Sequence, residues 1–129
     1  MPREPDLETD QIARAIIGAA IEVHRHLGPG FLEGVYEAAL AAELRARGIP
    51  FEQQKTVPLF YKQVPVGLHR LDLLVEKQVI VELKAVDALV PIHFAQMVSY
   101  LAATGLTLGL LFNFHVPSLR RGIHRVIRS

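Results

Sequence analysis

Two carboxylates set inside apolar, strand-forming runs constrain this chain more than any other feature. Asp72 stands in Arg70-Leu71-Asp72-Leu73-Leu74-Val75 and Glu82 in Val79-Ile80-Val81-Glu82-Leu83-Lys84, with only Glu76-Lys77-Gln78 between them. Two such runs joined by a short polar turn predict a hairpin. Side chains alternate faces along a strand, so Glu82 and Lys84 point the same way and can meet Asp72 from the neighbouring strand. Taking water from an ionised carboxylate is costly, and a second like charge beside it raises the cost, so one acid takes up a proton or a cation sits between them. A divalent metal resolves both problems.

The remaining composition limits the surroundings of such a pair. The 129 residues, half of them hydrophobic, are enough for one domain, 1–129, with its own core. Cysteine is absent, which excludes disulfides and thiolate metal sites and agrees with a cytoplasmic location. The start Met1-Pro2-Arg3-Glu4-Pro5-Asp6-Leu7-Glu8 is acidic and has no apolar run of the signal-peptide kind. The longest apolar stretch, residues 106–112, is too short to span a bilayer, so no membrane partner is expected. A net charge of +1 is weak for a nucleic-acid binder. Locally, Arg120, Arg121, His124, Arg125 and Arg128 crowd the last ten residues, either as a phosphate-facing patch or as a solvated basic end.

Hydrophobic periodicity sets the element order. Asp10 or Thr9 is expected to cap a first helix in which Ile12, Ile16, Ala19, Ala20, Val23 and Leu27 recur at helical spacing, stopped by Gly28-Pro29-Gly30. A second helix over about residues 32–47 ends at Gly48, and the two should pack as a hairpin. Residues 51–61 read as a strand that Pro58 confines to an edge or a bulge. After a turn at Lys62-Gln63 come the Asp72 strand, the Glu82 strand, a loop, a helix over about 92–104, a buried strand over 107–113 and a last strand over 123–127. The helix between the Glu82 strand and the next predicts a parallel crossover. The expected class is α/β, a central mixed sheet flanked by helices.

On the third helix, His93, Gln96 and Tyr100 share one stripe, and Phe94, Met97, Val98 and Leu101 form the apolar stripe beside it. Hydrogen-bonding groups next to a packed face suit a cleft wall, where Gln supplies donor and acceptor and Tyr a hydroxyl and a ring.

An Asp on the second strand, Glu82-Leu83-Lys84 on the third and Gln96-Met97-Val98-Ser99-Tyr100 on the following helix resemble the PD-(D/E)XK nuclease superfamily, with its restriction-endonuclease-like fold, and within it the RecB-like exonuclease branch. Gly30-Phe31-Leu32-Glu33-Gly34-Val35-Tyr36 is similar to the signature of the small bacterial GxxExxY proteins. The resemblance implies that Glu33, Asp72 and Glu82, helped by the Leu83 carbonyl, line a Mg²⁺ or Mn²⁺ site. It makes Lys84 the catalytic lysine and Gln96 and Tyr100 substrate-side or supporting groups, and His93, on the same stripe, is a further candidate for substrate contact. Leu71 stands where the superfamily's naming proline would be. The implied activity is metal-dependent phosphodiester hydrolysis in DNA or RNA, and it agrees with the residues: Mg²⁺ takes one or two carboxylates with waters and phosphate oxygens, and a lysine beside it can orient water or stabilise the transition state.

Several residues have plainer readings. Asp72, Glu82 and Lys84 would equally suit a cross-strand ion pair on a solvated face, worth at most about 1 kcal/mol. Glu33 is favoured at a helix start by the dipole alone. His93 divides between substrate contact and capping or core hydrogen bonding. Gly28 and Gly30 fit turns rather than a phosphate loop, and His24 and His26, two apart on a helix, face nearly opposite ways and do not share a zinc. No serine or cysteine triad is visible. Two function classes stand: a metal-dependent nuclease, and a catalytically silent nuclease-fold protein acting through a nucleic-acid or protein partner. A homodimer would widen a small binding surface.

Overall fold

In the computed structural model, which describes residues 5–128, helix α1 (Leu7–Leu27) begins earlier than expected. The Asp6 carboxylate accepts from the Thr9 N–H at 2.7 Å, so the cap is Asp6 and not Thr9 or Asp10. Asp6 offers the same capping chemistry one turn upstream, which leaves Glu8 and Asp10 in the first turn where the helix dipole favours acids. The first four residues, half of the acidic start that lacks a signal-peptide run, lie outside the described ones. Helix α2 (Glu33–Ala46) follows a loop in which Gly28 and Gly30 take positive φ (69° and 112°). Ile12, Ile16 and Val23 of α1 share one core with Tyr36, Leu40 and Leu44 of α2, the packing expected of a helical hairpin.

Five strands follow: β1 (Phe51–Tyr61), β2 (Val64–Val75), β3 (Val79–Lys84), β4 (Leu108–Asn113) and β5 (Ile123–Ile127), with α3 (Pro91–Thr104) between β3 and β4. They form one sheet in the order β1-β2-β3-β4-β5. Neighbours are antiparallel except β3 and β4, whose parallel pairing follows from the crossover through α3. This is the expected α/β class with a mixed sheet. β1 lies at the edge and its register slips between Leu59 and Phe60, next to Pro58.

Alternation on β3 divides the interior. Val79, Val81 and Leu83 enter the core under α1 and α2, while Ile80 joins Leu111, Met97 and Leu101 under α3. A Cβ on Gly109 would collide with the Met97 sulfur, so this glycine lets α3 lie close on the sheet. Val98, expected in the apolar stripe, is exposed; the buried stripe of α3 narrows to Met97 and Leu101.

Two irregularities reshape the strands around Asp72. Leu71 lies in the core under α3 and Leu73 in the core under α1 and α2, although residues two apart should share a face, so strand alternation breaks at Asp72. Gln54, between the β1 residues that pair with Leu71 and Leu73, has a positive φ of 55°. Beyond this point β1 and β2 continue as a ribbon on which Phe60, Tyr61, Val64, Val66 and Leu68 are all more than half exposed.

Candidate active site

The ladder between β2 and β3 ends at Leu73 and Val81, one position short of the pair Asp72 and Glu82. There the side chains take over. The Asp72 N–H donates to Glu82 Oε2 at 3.1 Å, and the Leu83 N–H donates to Asp72 Oδ2 at 2.9 Å. Each acid thus supplies an acceptor to the opposite strand, and the two strands part around a small cleft. Glu82 extends the α3-facing side of β3 beyond Ile80, and its side chain is 10% exposed. Among the described residues Lys84 makes no ion pair, so the solvated cross-strand pair is not what forms.

The cleft, about 100 Å³, gathers the residues singled out in the sequence. Asp72, Glu82 and Lys84 come from the splayed strands, Glu33 from the first turn of α2, and His93, Gln96 and Tyr100 from α3. Of Leu83 only the backbone is expected to take part: its side chain lies in the opposite core, and its N–H donates to Asp72. His93 has two attachments, since its Nδ1 accepts from the Val90 N–H at 3.1 Å as a cap for α3 while the residue also lines the cleft. Two further lining residues, His69 and Arg70, carried no signal in the sequence. Strict alternation puts residue 69 on the face opposite residue 72, and only the break at Asp72 brings His69 to the same cleft.

The electrostatics bind these groups together. Burial, and then the Asp72 charge, push the Glu82 carboxyl up to about 9, against the pull of Lys84. Burial also raises Glu33, with Lys84 acting against it and Asp72 with it, so the α2 carboxyl shares the field of the strand acids. Tyr100 is raised by burial, Glu82 and Asp72 in that order. His69 is lowered, chiefly by burial, with Asp72 opposing. Burial and the Asp72 charge thus favour the protonated form of Glu82.

Among the described residues no three His, Cys, Asp or Glu side chains stand together as a ready cage for a metal. The donor set still fits Mg²⁺ or Mn²⁺, which need only one or two carboxylates when waters and substrate oxygens complete the shell. The cleft, about 100 Å³, has room for ordered waters beside the acids.

The basic C-terminal residues do not make one patch. Arg125 pairs with Asp10 of α1 at 3.0 Å, Arg128 Nε donates to the Leu106 carbonyl at 2.9 Å, and His124 packs edge-on against Phe94 of α3. Arg125 and His124 thus reach opposite faces of β5, at the far edge of the sheet from β2. His24 is likewise structural: buried, with Nε2 2.9 Å from the Val116 carbonyl oxygen. No helix among the described residues is long and apolar enough to cross a membrane.

No curated protein matches the chain closely enough to serve as a relative. A family model does match, that of the PD-(D/E)XK nuclease superfamily, over residues 10–126. The matched region runs from the first helix to the last strand and holds every residue of the cleft, and the chain belongs to the PD-(D/E)XK nuclease superfamily.

Proposed function

We propose that the protein is a Mg²⁺- or Mn²⁺-dependent nuclease that hydrolyses phosphodiester bonds in DNA or RNA, one nuclease domain over 1–129, acting in the bacterial cytoplasm. The observation that carries this reading is the pair Asp72 and Glu82. Two acids, one of them nearly buried, stand where a strand ladder has parted, with a lysine two residues on along the same face. A structural role alone would be met by uncharged acceptors.

In this reading Asp72 and Glu82 hold the cation, with Glu33 and the Leu83 carbonyl completing the protein's share. When bound, a divalent ion acidifies water and offsets charge developing on the phosphate. Glu82 must give up its proton as the ion enters. Lys84 donates toward the attacking water or the developing charge, at the lip of the cleft. His93, Gln96 and Tyr100 on α3 hold the substrate strand at the mouth of the cleft. The Glu33 and Tyr36 signature and the Gln96 and Tyr100 stripe support placement among the GxxExxY proteins of the RecB-like branch.

The weak net charge and the dispersed C-terminal arginines favour a second reading, a catalytically silent binding or accessory protein. A homodimer would supply part of the missing surface, and the apolar β1–β2 ribbon offers a face for a second copy. The deciding experiment incubates purified protein with single- and double-stranded DNA and RNA in Mg²⁺, Mn²⁺ or EDTA. Cleavage that EDTA abolishes and Glu82→Gln eliminates supports the nuclease. Inertness on every substrate with both metals supports the accessory protein.

A further inference from the structure

His69 bridges the two walls of the cleft. Its ring lies on the ring of Tyr100 from α3, with centroids 3.7 Å apart and planes inclined by 13°, and its Nε2 is 3.2 Å from Glu82 Oε1 on β3. Glu82 Oε2 is occupied by the Asp72 N–H, so His69 supplies the partner of the other oxygen. One side chain of β2 therefore touches both a carboxylate of the proposed metal pair and a proposed substrate-side tyrosine.

We infer that His69 is a positioning residue, one that fixes the rotation of the Glu82 carboxylate and the tilt of the Tyr100 ring and so sets the spacing between metal and substrate groups. The inference rests on the nuclease reading. Two observations separate it from ordinary packing. Leu71, the next side chain on the same face, is wholly buried and aliphatic, so packing at this place needs no imidazole. The imidazole stands instead where the core gives way to the cleft, its side chain 28% exposed, with its nitrogen on the least exposed acid. With Glu82 holding a cation, the ring N–H would donate to Oε1 and keep that oxygen in place. Groups that orient a ligating carboxylate in this way commonly change metal affinity or activity by about 10- to 100-fold when removed.

The bridge has two halves, which two substitutions separate. His69→Phe keeps a ring against Tyr100 and removes the nitrogen; His69→Gln keeps a donor for Glu82 and removes the ring. Mn²⁺ binding is measured by calorimetry and cleavage by steady-state kinetics, with melting temperatures recorded to establish folding. His69→Phe should weaken Mn²⁺ by about tenfold and lower kcat with little change in KM. His69→Gln should retain Mn²⁺ affinity within about twofold and raise KM, because the loss falls on the Tyr100 ring rather than on the metal. If both variants match the parent in Mn²⁺ affinity, kcat and KM, or lose the same quantities equally, His69 does not position these groups, and the nuclease reading stands without it. A parent that neither binds Mn²⁺ nor cleaves removes the nuclease reading and this inference together.

Discussion

The Tyr36 hydroxyl donates to the Gly28 carbonyl at 2.6 Å and accepts from the Phe31 N–H at 3.2 Å. Its ring is fully buried and stacked on Phe114 at 4.5 Å. The tyrosine of the signature thus clamps the loop that delivers α2, and with it Glu33, to the cleft. Tyr36→Phe keeps the stack and leaves both loop groups without this partner, so thermal unfolding should show a loss of about 1 kcal/mol. An unchanged melting temperature would mean that the loop is held by its glycines alone.

Glu82 imposes a pH dependence on the metal-free protein. Its folded pKa is raised, to about 9, above the ordinary 4.5, so between those values the folded state holds a proton that the unfolded state has released. Stability is then full below about pH 4.5 as far as this group is concerned and falls as pH rises toward 9, by up to about 1.4 kcal/mol per pH unit. Denaturant titrations in EDTA from pH 5 to 9 should show the decline, and Glu82→Gln should flatten it. With Mn²⁺ present the trend is opposed, since metal binding displaces the proton and tightens as pH rises.

Lys84 is expected to act on the transition state and not on the metal. Lys84→Ala should lose roughly a hundredfold in cleavage rate, the scale of one removed transition-state contact, with its fold intact and Mn²⁺ affinity within about tenfold of the parent. Single-turnover rates beside calorimetry separate these effects. A variant as fast as the parent would put the activity elsewhere.

For Glu33 the two readings predict opposite signs. If it serves only the helix dipole, Glu33→Gln costs about 0.3 to 1 kcal/mol and leaves cleavage unchanged. As a cleft acid raised by burial and by Asp72, it is expected instead to keep or gain apo stability on neutralisation while cleavage is lost. Melting temperature and rate measured on one preparation give the answer.

The apolar ribbon predicts self-association. Val66→Lys together with Leu68→Glu, at two strongly exposed positions, should convert a dimer to a monomer by light scattering without lowering the melting temperature of the monomer. A parent that is monomeric at high concentration would exclude the homodimer.

Much of the fold was legible because its periodicities are strong. The β5 bounds, the Pro58 irregularity and the parallel crossover all follow from local pattern. Asp72 and Glu82 were legible because a carboxylate among aliphatic residues is conspicuous by its cost, and His93, Gln96 and Tyr100 because they share a helical stripe, whereas Glu33 came from the resemblance alone. Other features depend on tertiary geometry. His69 was invisible because alternation sent it to the wrong face until the strand twisted at Asp72, and no residue type there marks the twist. The Asp6 cap was missed because Thr9 and Asp10 are equally good cap residues, and the choice depends on where the preceding chain joins the helix. Val98 was misassigned because a helix packed on the sheet through Met97 and Leu101 buries a narrower stripe than its apolar spacing suggests.

The parting of β2 from β3 bears on how such a protein ages in evolution. What the strand ends require at positions 72 and 82 is an oxygen that accepts a hydrogen bond, and an amide side chain provides one as well as an acid does. The architecture and the chemistry thus use the same atoms but ask different things of them. Asp72→Asn or Glu82→Gln would erase the charge and keep the scaffold. An inactive descendant with this same shape lies one substitution away, and it carries no structural penalty by which selection on folding could remove it.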